Sequence, residues 1–106
     1  MYKYNIYIGM FDKDTKQQEL SNTDFFNTVR KVMRLHNINC YSIYKCKGHF
    51  QHEDGTIVCE PSINVEFISN VVYHQLSKTT SDIKKQLCEL LNQESVLITK
   101  QEIQIL

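Results

Sequence analysis

The amino-acid sequence predicts an α+β fold of element order βαββαβ, and three observations carry that prediction. Residues Tyr2 to Met10 alternate apolar and polar with the two-residue period of a strand. Two segments, around residues 25–33 and 83–91, space their apolar side chains by three and four, as one face of a helix does. Between them, Asp54-Gly55 separates two runs of β-branched and aromatic residues, a strong short-range signal for a hairpin because glycine accepts positive φ without steric cost.

The first strand puts Tyr2, Tyr4, Ile6, Ile8 and Met10 on a core face and Lys3, Asn5, Tyr7 and Gly9 on the other. A dense polar run from Phe11 to Glu19 is too polar to bury and predicts a surface loop. The first helix carries Phe25, Phe26, Val29, Val32 and Met33 on one stripe, with His36 at its end. Ser21 or Thr23 serves as its cap, and Asp24 sits near its positive end. Cys40 to Phe50 reads as the second strand.

Strand three runs from Thr56 to about Phe67, with Ile57, Cys59, Ile63, Val65 and Phe67 on the inner register and Glu60, Asn64 and Glu66 on the outer one. Pro61 cannot donate to a ladder, so a bulge or a sheet edge is expected there. A connection from about Ser69 to Thr79 leads to a second helix, capped by Thr80 or Ser81, whose apolar face is Ile83, Leu87, Leu90 and Leu91. The tail offers Val96-Leu97-Ile98 and Ile103-Gln104-Ile105 as two short strands or one kinked strand. This order matches the ferredoxin-like arrangement: one antiparallel sheet with both helices on one face.

At 106 residues the chain has the size of a single domain, 1–106. A hydrophobic content of 42% with one Pro and three Gly is that of a folding chain rather than a disordered one. Twelve basic residues balance twelve acidic ones, so no overall field steers the protein to nucleic acid or to an anionic membrane. No apolar run reaches the length of a membrane span and the first residues lack a signal-peptide layout, which predicts a cytoplasmic protein with Cys40, Cys46, Cys59 and Cys88 as buried or half-buried free thiols.

The residue clusters that carry chemistry elsewhere are weak here. Cys46, His49, His52 and Cys59 superficially have the spacing of a zinc site, but on an extended hairpin Cys46 and His52 face opposite to His49. His36 and His74 lie far from them in sequence, and Cys59 reads as core rather than as a nucleophile. The three glycines, Gly9, Gly48 and Gly55, are isolated, so no phosphate loop can be built. The strand Ile6 to Phe11 echoes one RNA-binding strand, but Glu60 and Glu66 stand where the basic partner strand is required. The residues therefore predict no catalytic site, no metal, no cofactor and no direct nucleic-acid contact.

The stretches Tyr4 to Glu19 and His52 to Glu60 resemble those of a group of small proteins carried by phages and other mobile elements of bacteria. That resemblance implies a role against host defences, of the anti-CRISPR type, in the cytoplasm of the bacterial host. The chain is then expected to be a non-enzymatic inhibitor that binds a large effector such as an RNA-guided nuclease. Its contact residues would be Asp12, Lys13, Asp14 and Glu19 in the first loop, His52, Glu53 and Asp54 at the hairpin tip, and Tyr7 and Tyr44 on the sheet. The alternative is an oligomeric module that binds or sequesters a small ligand or nucleotide, with the protein a monomer or a homodimer under the first reading and the open sheet face buried by self-association under the second.

Overall fold

The computed structural model describes the backbone of residues 1–69 and 73–106 and the side chains of residues 1–69 and 78–106. Its elements are β1 (Tyr2–Gly9), α1 (Asn22–Leu35), β2 (Ser42–Gln51), β3 (Ile57–Ser69), α2 (Tyr73–Leu91) and β4 (Leu97–Glu102). The four strands form one antiparallel sheet in the order β2-β3-β1-β4, so the βαββαβ, ferredoxin-like expectation holds.

The core lies between one sheet face and the two helices. Tyr4, Ile6 and Ile8 of β1 and Ile63, Val65 and Phe67 of β3 meet Phe25, Val29, Val32 and Met33 of α1 and Ile83, Leu87 and Leu91 of α2, all buried. The rings of Tyr4 and Phe67 stack at 5.1 Å. Helix α1 starts where its cap predicts: Ser21 Oγ accepts from the Asp24 N–H at 3.1 Å, and Asp24 sits in the first turn. The hairpin closes as expected through Gly55 at φ 87°, with the Gly55 N–H donating to the His52 carbonyl at 2.9 Å.

Several expectations need correction. Helix α2 begins at Tyr73, so Thr80 and Ser81 lie inside it rather than capping it; the core packing of Ile83, Leu87 and Leu91 outweighs the weak helix propensity of those residues. The predicted connection from Ser69 to Thr79 includes residues 70–72, outside the described residues, as is the side chain of His74. Leu90 is 53% exposed because spacing by four from Ile83 selects Leu87 and Leu91 for the core. The tail forms one strand through the polar Thr99-Lys100-Gln101-Glu102, since antiparallel pairing with β1 stabilises backbone whatever the side chains. Cys40, Cys46 and Cys59 are exposed and only Cys88 is half-buried, where burial pushes its thiol pKa up.

The most consequential correction concerns β3. Its pairing with β2 and β1 is continuous, with no bulge at Pro61. Pro61 instead stands where β1 has ended: its carbonyl accepts from the Met10 N–H at 3.0 Å, and the side that lacks a donor faces no strand. Beyond Ile63 the sheet outruns the helices, so Ile57 and Cys59, assigned to the core, are exposed. Glu60 and Ser62, on the face opposite the helices, are buried.

Candidate functional site

Cross-strand pairing fixes which residues share the sheet face opposite the helices. Gly9 pairs with Ser62, Gly48 with Glu60, and Tyr7 and Tyr44 both pair with Asn64. Glu60 therefore lies on this face between two glycine-bearing strands. A Cβ on Gly9 would stand 2.5 Å from Glu60 Oε1, and a Cβ on Gly48 would collide with the Phe50 ring. Glycine at both positions lets the acid and the ring lie flat on the sheet.

Glu60 is 3% exposed, which for a carboxyl demands a specific partner. The Phe11 N–H donates to its Oε2 at 2.7 Å. The carbonyl of the same Phe11 accepts from Gln93 Nε2 at 2.7 Å, so one residue just past β1 ties the acid to the buried Gln93 of the α2–β4 loop. Burial pushes the Glu60 carboxyl above its ordinary value; the Phe11 N–H and the His52 ring oppose that rise and Glu94 adds to it.

A crevice of about 40 Å³ opens beside the acid, lined among others by Gly9, Phe11, Lys13, His52, Gln93 and Glu94. His52 is buried, with Nδ1 3.1 Å from Glu94 Oε1. The same oxygen lies 3.8 Å from Lys16 Nζ and accepts from the Glu53 N–H at 3.5 Å. Glu94 thus draws together the first loop, the hairpin turn and the α2–β4 loop around the mouth of the crevice.

The predicted contact residues fall partly here. Lys13 and His52 line the crevice, and Glu53 reaches its rim only through its backbone N–H to Glu94. Asp12 and Asp14 instead accept from Asn92 Nδ2 at 2.8 and 2.9 Å. Asp12 also accepts from the Asp14 and Thr15 N–H groups, and the Asn92 amide above all holds its carboxyl below the usual range. Glu19 accepts from Gln17, and Asp54 accepts from the Thr56 N–H within the turn. These acids organise their own loops. Tyr7 and Tyr44 share one row of the sheet face that carries Glu60, with Tyr44 50% exposed.

Of the four metal-capable hairpin residues, His49 and Cys59 are cross-strand partners, Cys46 pairs with Ser62, and no group of three or more His, Cys, Asp or Glu residues gathers as ligands among the described residues. His36 contacts Gln86 Oε1 at 2.9 Å through Nε2. Glu60, Gln93 and Glu94 were missed from sequence, because the register that brings Glu60 opposite Gly48 is set by strand pairing.

Fold and site together define a small α+β domain with one buried acid, held by a backbone N–H, on the sheet face its helices leave open. Solved structures of this arrangement include a phage SAM lyase in complex with S-methyl-5'-thioadenosine: TM-score 0.77 and 21% identity, with 95% of this chain covering 80% of that one. They also include a phage SAM lyase in its apo state: TM-score 0.73 and 20% identity, over 94% of this chain and 78% of that one. At that identity the likeness is one of fold. No family model and no curated protein matches the chain.

These neighbours are phage proteins, which agrees with the phage character of the sequence resemblance but not with its anti-CRISPR type. They overturn the expectation of a non-enzymatic inhibitor of host defence, because the neighbours are an enzyme named for a small molecule. The alternative expectation, a small-ligand module, fits them better. No helix among the described residues is long and apolar enough to cross a membrane.

Proposed function

We propose that the chain is a small-ligand enzyme that binds S-adenosylmethionine (SAM) and cleaves it as a lyase, releasing S-methyl-5'-thioadenosine. The observation that carries this reading is the buried Glu60 carboxylate, fixed by Phe11 and bordered by Gly9 and Gly48, in a fold close to that of the phage SAM lyase. A buried acid is costly, and one that lines an open crevice is the kind of group a polar ligand satisfies.

The chemistry follows from the ligand. The thioether product differs from SAM by loss of its four-carbon amino-acid arm, so the bond between sulfur and the arm's γ-carbon breaks and its electron pair neutralises the sulfonium. With no water added, the arm closes on itself: its own carboxylate oxygen bonds the γ-carbon and gives a lactone. The nucleophile and the leaving group are both in the substrate, so the protein need only hold the arm in a reactive bend and exclude water. Glu60 suits that task as an orienting acceptor. A carboxylate next to the sulfur itself would stabilise the charged reactant more than a transition state that is losing its charge.

A crevice of about 40 Å³ holds a water or two, not a nucleoside. The ligand then lies across its mouth on the open sheet face, where Tyr7 and Tyr44 offer rings to a purine, and a second copy of the chain over that face would enclose it. Such a reaction would run in the cytoplasm of a bacterial host, where SAM is made.

The test is to incubate purified protein with SAM and follow the thioether by mass spectrometry, alongside calorimetric titration with S-methyl-5'-thioadenosine. Release of the thioether by the wild type, lost in Glu60→Gln, is the expected result. Saturable binding without release favours a second reading, a sequestering module; absence of both overturns the proposal.

A further inference from the structure

The proposed chemistry makes no use of His52, a further buried polar group of the crevice. His52 is 7% exposed, and among the described residues neither ring nitrogen has an aligned hydrogen-bond partner. Its Nδ1 lies 3.1 Å from Glu94 Oε1, close enough for an ion pair but off the line of a hydrogen bond. An imidazole buried without partners is destabilising unless a charge or a ligand answers it.

The charged groups around the ring come from four segments. Glu94 faces it from the α2–β4 loop and Glu60 from β3; Lys13 and Lys16 approach from the first loop, Lys16 at 3.8 Å from the same Glu94 oxygen. Glu53 and Asp54 share its own turn, with the Glu53 N–H turned to Glu94 and Asp54 holding the Thr56 N–H. With a neutral ring, a cation lying across the mouth of the crevice meets the uncompensated field of the Glu60 and Glu94 carboxylates. With an imidazolium, Glu94 is answered by His52, and the added charge repels the cation.

We infer that His52 is a specificity-determining positioning residue of this site: its charge state sets how strongly the site prefers a cationic ligand to the neutral thioether. The inference rests on the reading of the crevice as a SAM site, because SAM is a sulfonium cation and its thioether product is neutral. Neutral His52 favours substrate over product, and protonated His52 narrows the difference. Glu60, whose carboxyl burial pushes above its ordinary value, would also tighten cation binding as it ionises, so the His52 variant is needed to separate the two.

The experiment is calorimetric titration of the wild type with S-methyl-5'-thioadenosine and with a non-cleavable SAM analogue in which an amine-bearing carbon replaces the sulfonium, at intervals from pH 5.5 to 7.5. The ratio of cation to neutral affinity should rise about three- to tenfold across that range, the order expected of one partly screened charge. In His52→Gln the rise should shrink to whatever Glu60 alone contributes. Glu94→Gln, which removes the answering carboxylate, should lower the ratio throughout and provides a second variant. A ratio that is flat in the wild type, or equally steep in His52→Gln, overturns the inference while leaving the SAM reading standing. A wild type that binds neither compound overturns both.

Discussion

The carboxylate of Glu60 lies over Gly9 of the neighbouring strand, so close that a Cβ there would stand 2.5 Å from Oε1 and 2.7 Å from the carboxyl carbon. The contact is between a strand residue and the end of a buried acid that is pinned on its other oxygen by Phe11. Gly9→Ala should therefore push the carboxylate off the Phe11 N–H. The expected outcome is a loss of about 1–3 kcal/mol in stability, the cost of a buried charged acceptor losing its donor, together with at least tenfold weaker binding of S-methyl-5'-thioadenosine. Chemical denaturation and calorimetry measure the two effects; an alanine variant with wild-type binding would show that the close approach has no functional consequence.

Glu60→Gln tests the acid itself. Its folded pKa is raised, mainly by burial, so above that pKa the ionised acid weakens the native state, and the weakening is relieved as pH falls through it. Gln keeps the shape and an acceptor for Phe11 but cannot ionise. The variant should be at least as stable as the wild type at neutral pH, with the gap closing in acid, while ligand binding falls by about a hundredfold. Thermal melts at pH 7 and pH 4.5 read the sign: a gap that widens in acid would contradict it.

The loop that frames the crevice depends on Asn92. At φ 50° it ends α2 in the left-handed region, and its amide holds both Asp12 and Asp14. Asn92→Gly retains the backbone and removes the amide, and a drop of roughly 3–6 °C in Tm is expected. Because the Asp12 carboxyl is held below its ordinary value of 3.8, the stabilisation exists above that value and disappears as pH falls through the folded pKa. The variant and the wild type should then converge in strong acid.

The hydrophobic core responds in the ordinary way. Leu87 is fully buried between α2 and the sheet, and Leu87→Ala should remove about 2–4 kcal/mol by urea denaturation. Leu90→Ala, one turn face away and 53% exposed, should change stability by under about 0.5 kcal/mol. Equal losses from the two would mean that α2 is rotated from the arrangement described here.

The βαββαβ order was legible because each element advertises its period locally. Tyr4, Ile6 and Ile8 alternate, Val29, Val32 and Met33 repeat by three and four, and Asp54-Gly55 marks the turn. The boundaries of α2 and β4 were not, since Thr79, Thr80 and the polar run from Thr99 to Glu102 take their state from the elements they pack or pair against. Of the residues first singled out, Lys13 and His52 line the crevice, while Asp12, Asp14 and Asp54 serve their own loops.

The amino-acid sequence by itself determined the fold class, the hairpin, the α1 cap and most of the core, because hydrophobic periodicity and turn chemistry are properties of neighbours along the chain. Only the tertiary structure decided that Glu60 is buried rather than solvent-facing, and that Gly9, Gly48, Phe11, Gln93 and Glu94 surround it or support it. In a strand, alternation tells which residues share a face but not what covers that face. The cover over Glu60 comes from segments about 50 residues before it and more than 30 after it, brought there by strand pairing and by the return of α2 across the sheet.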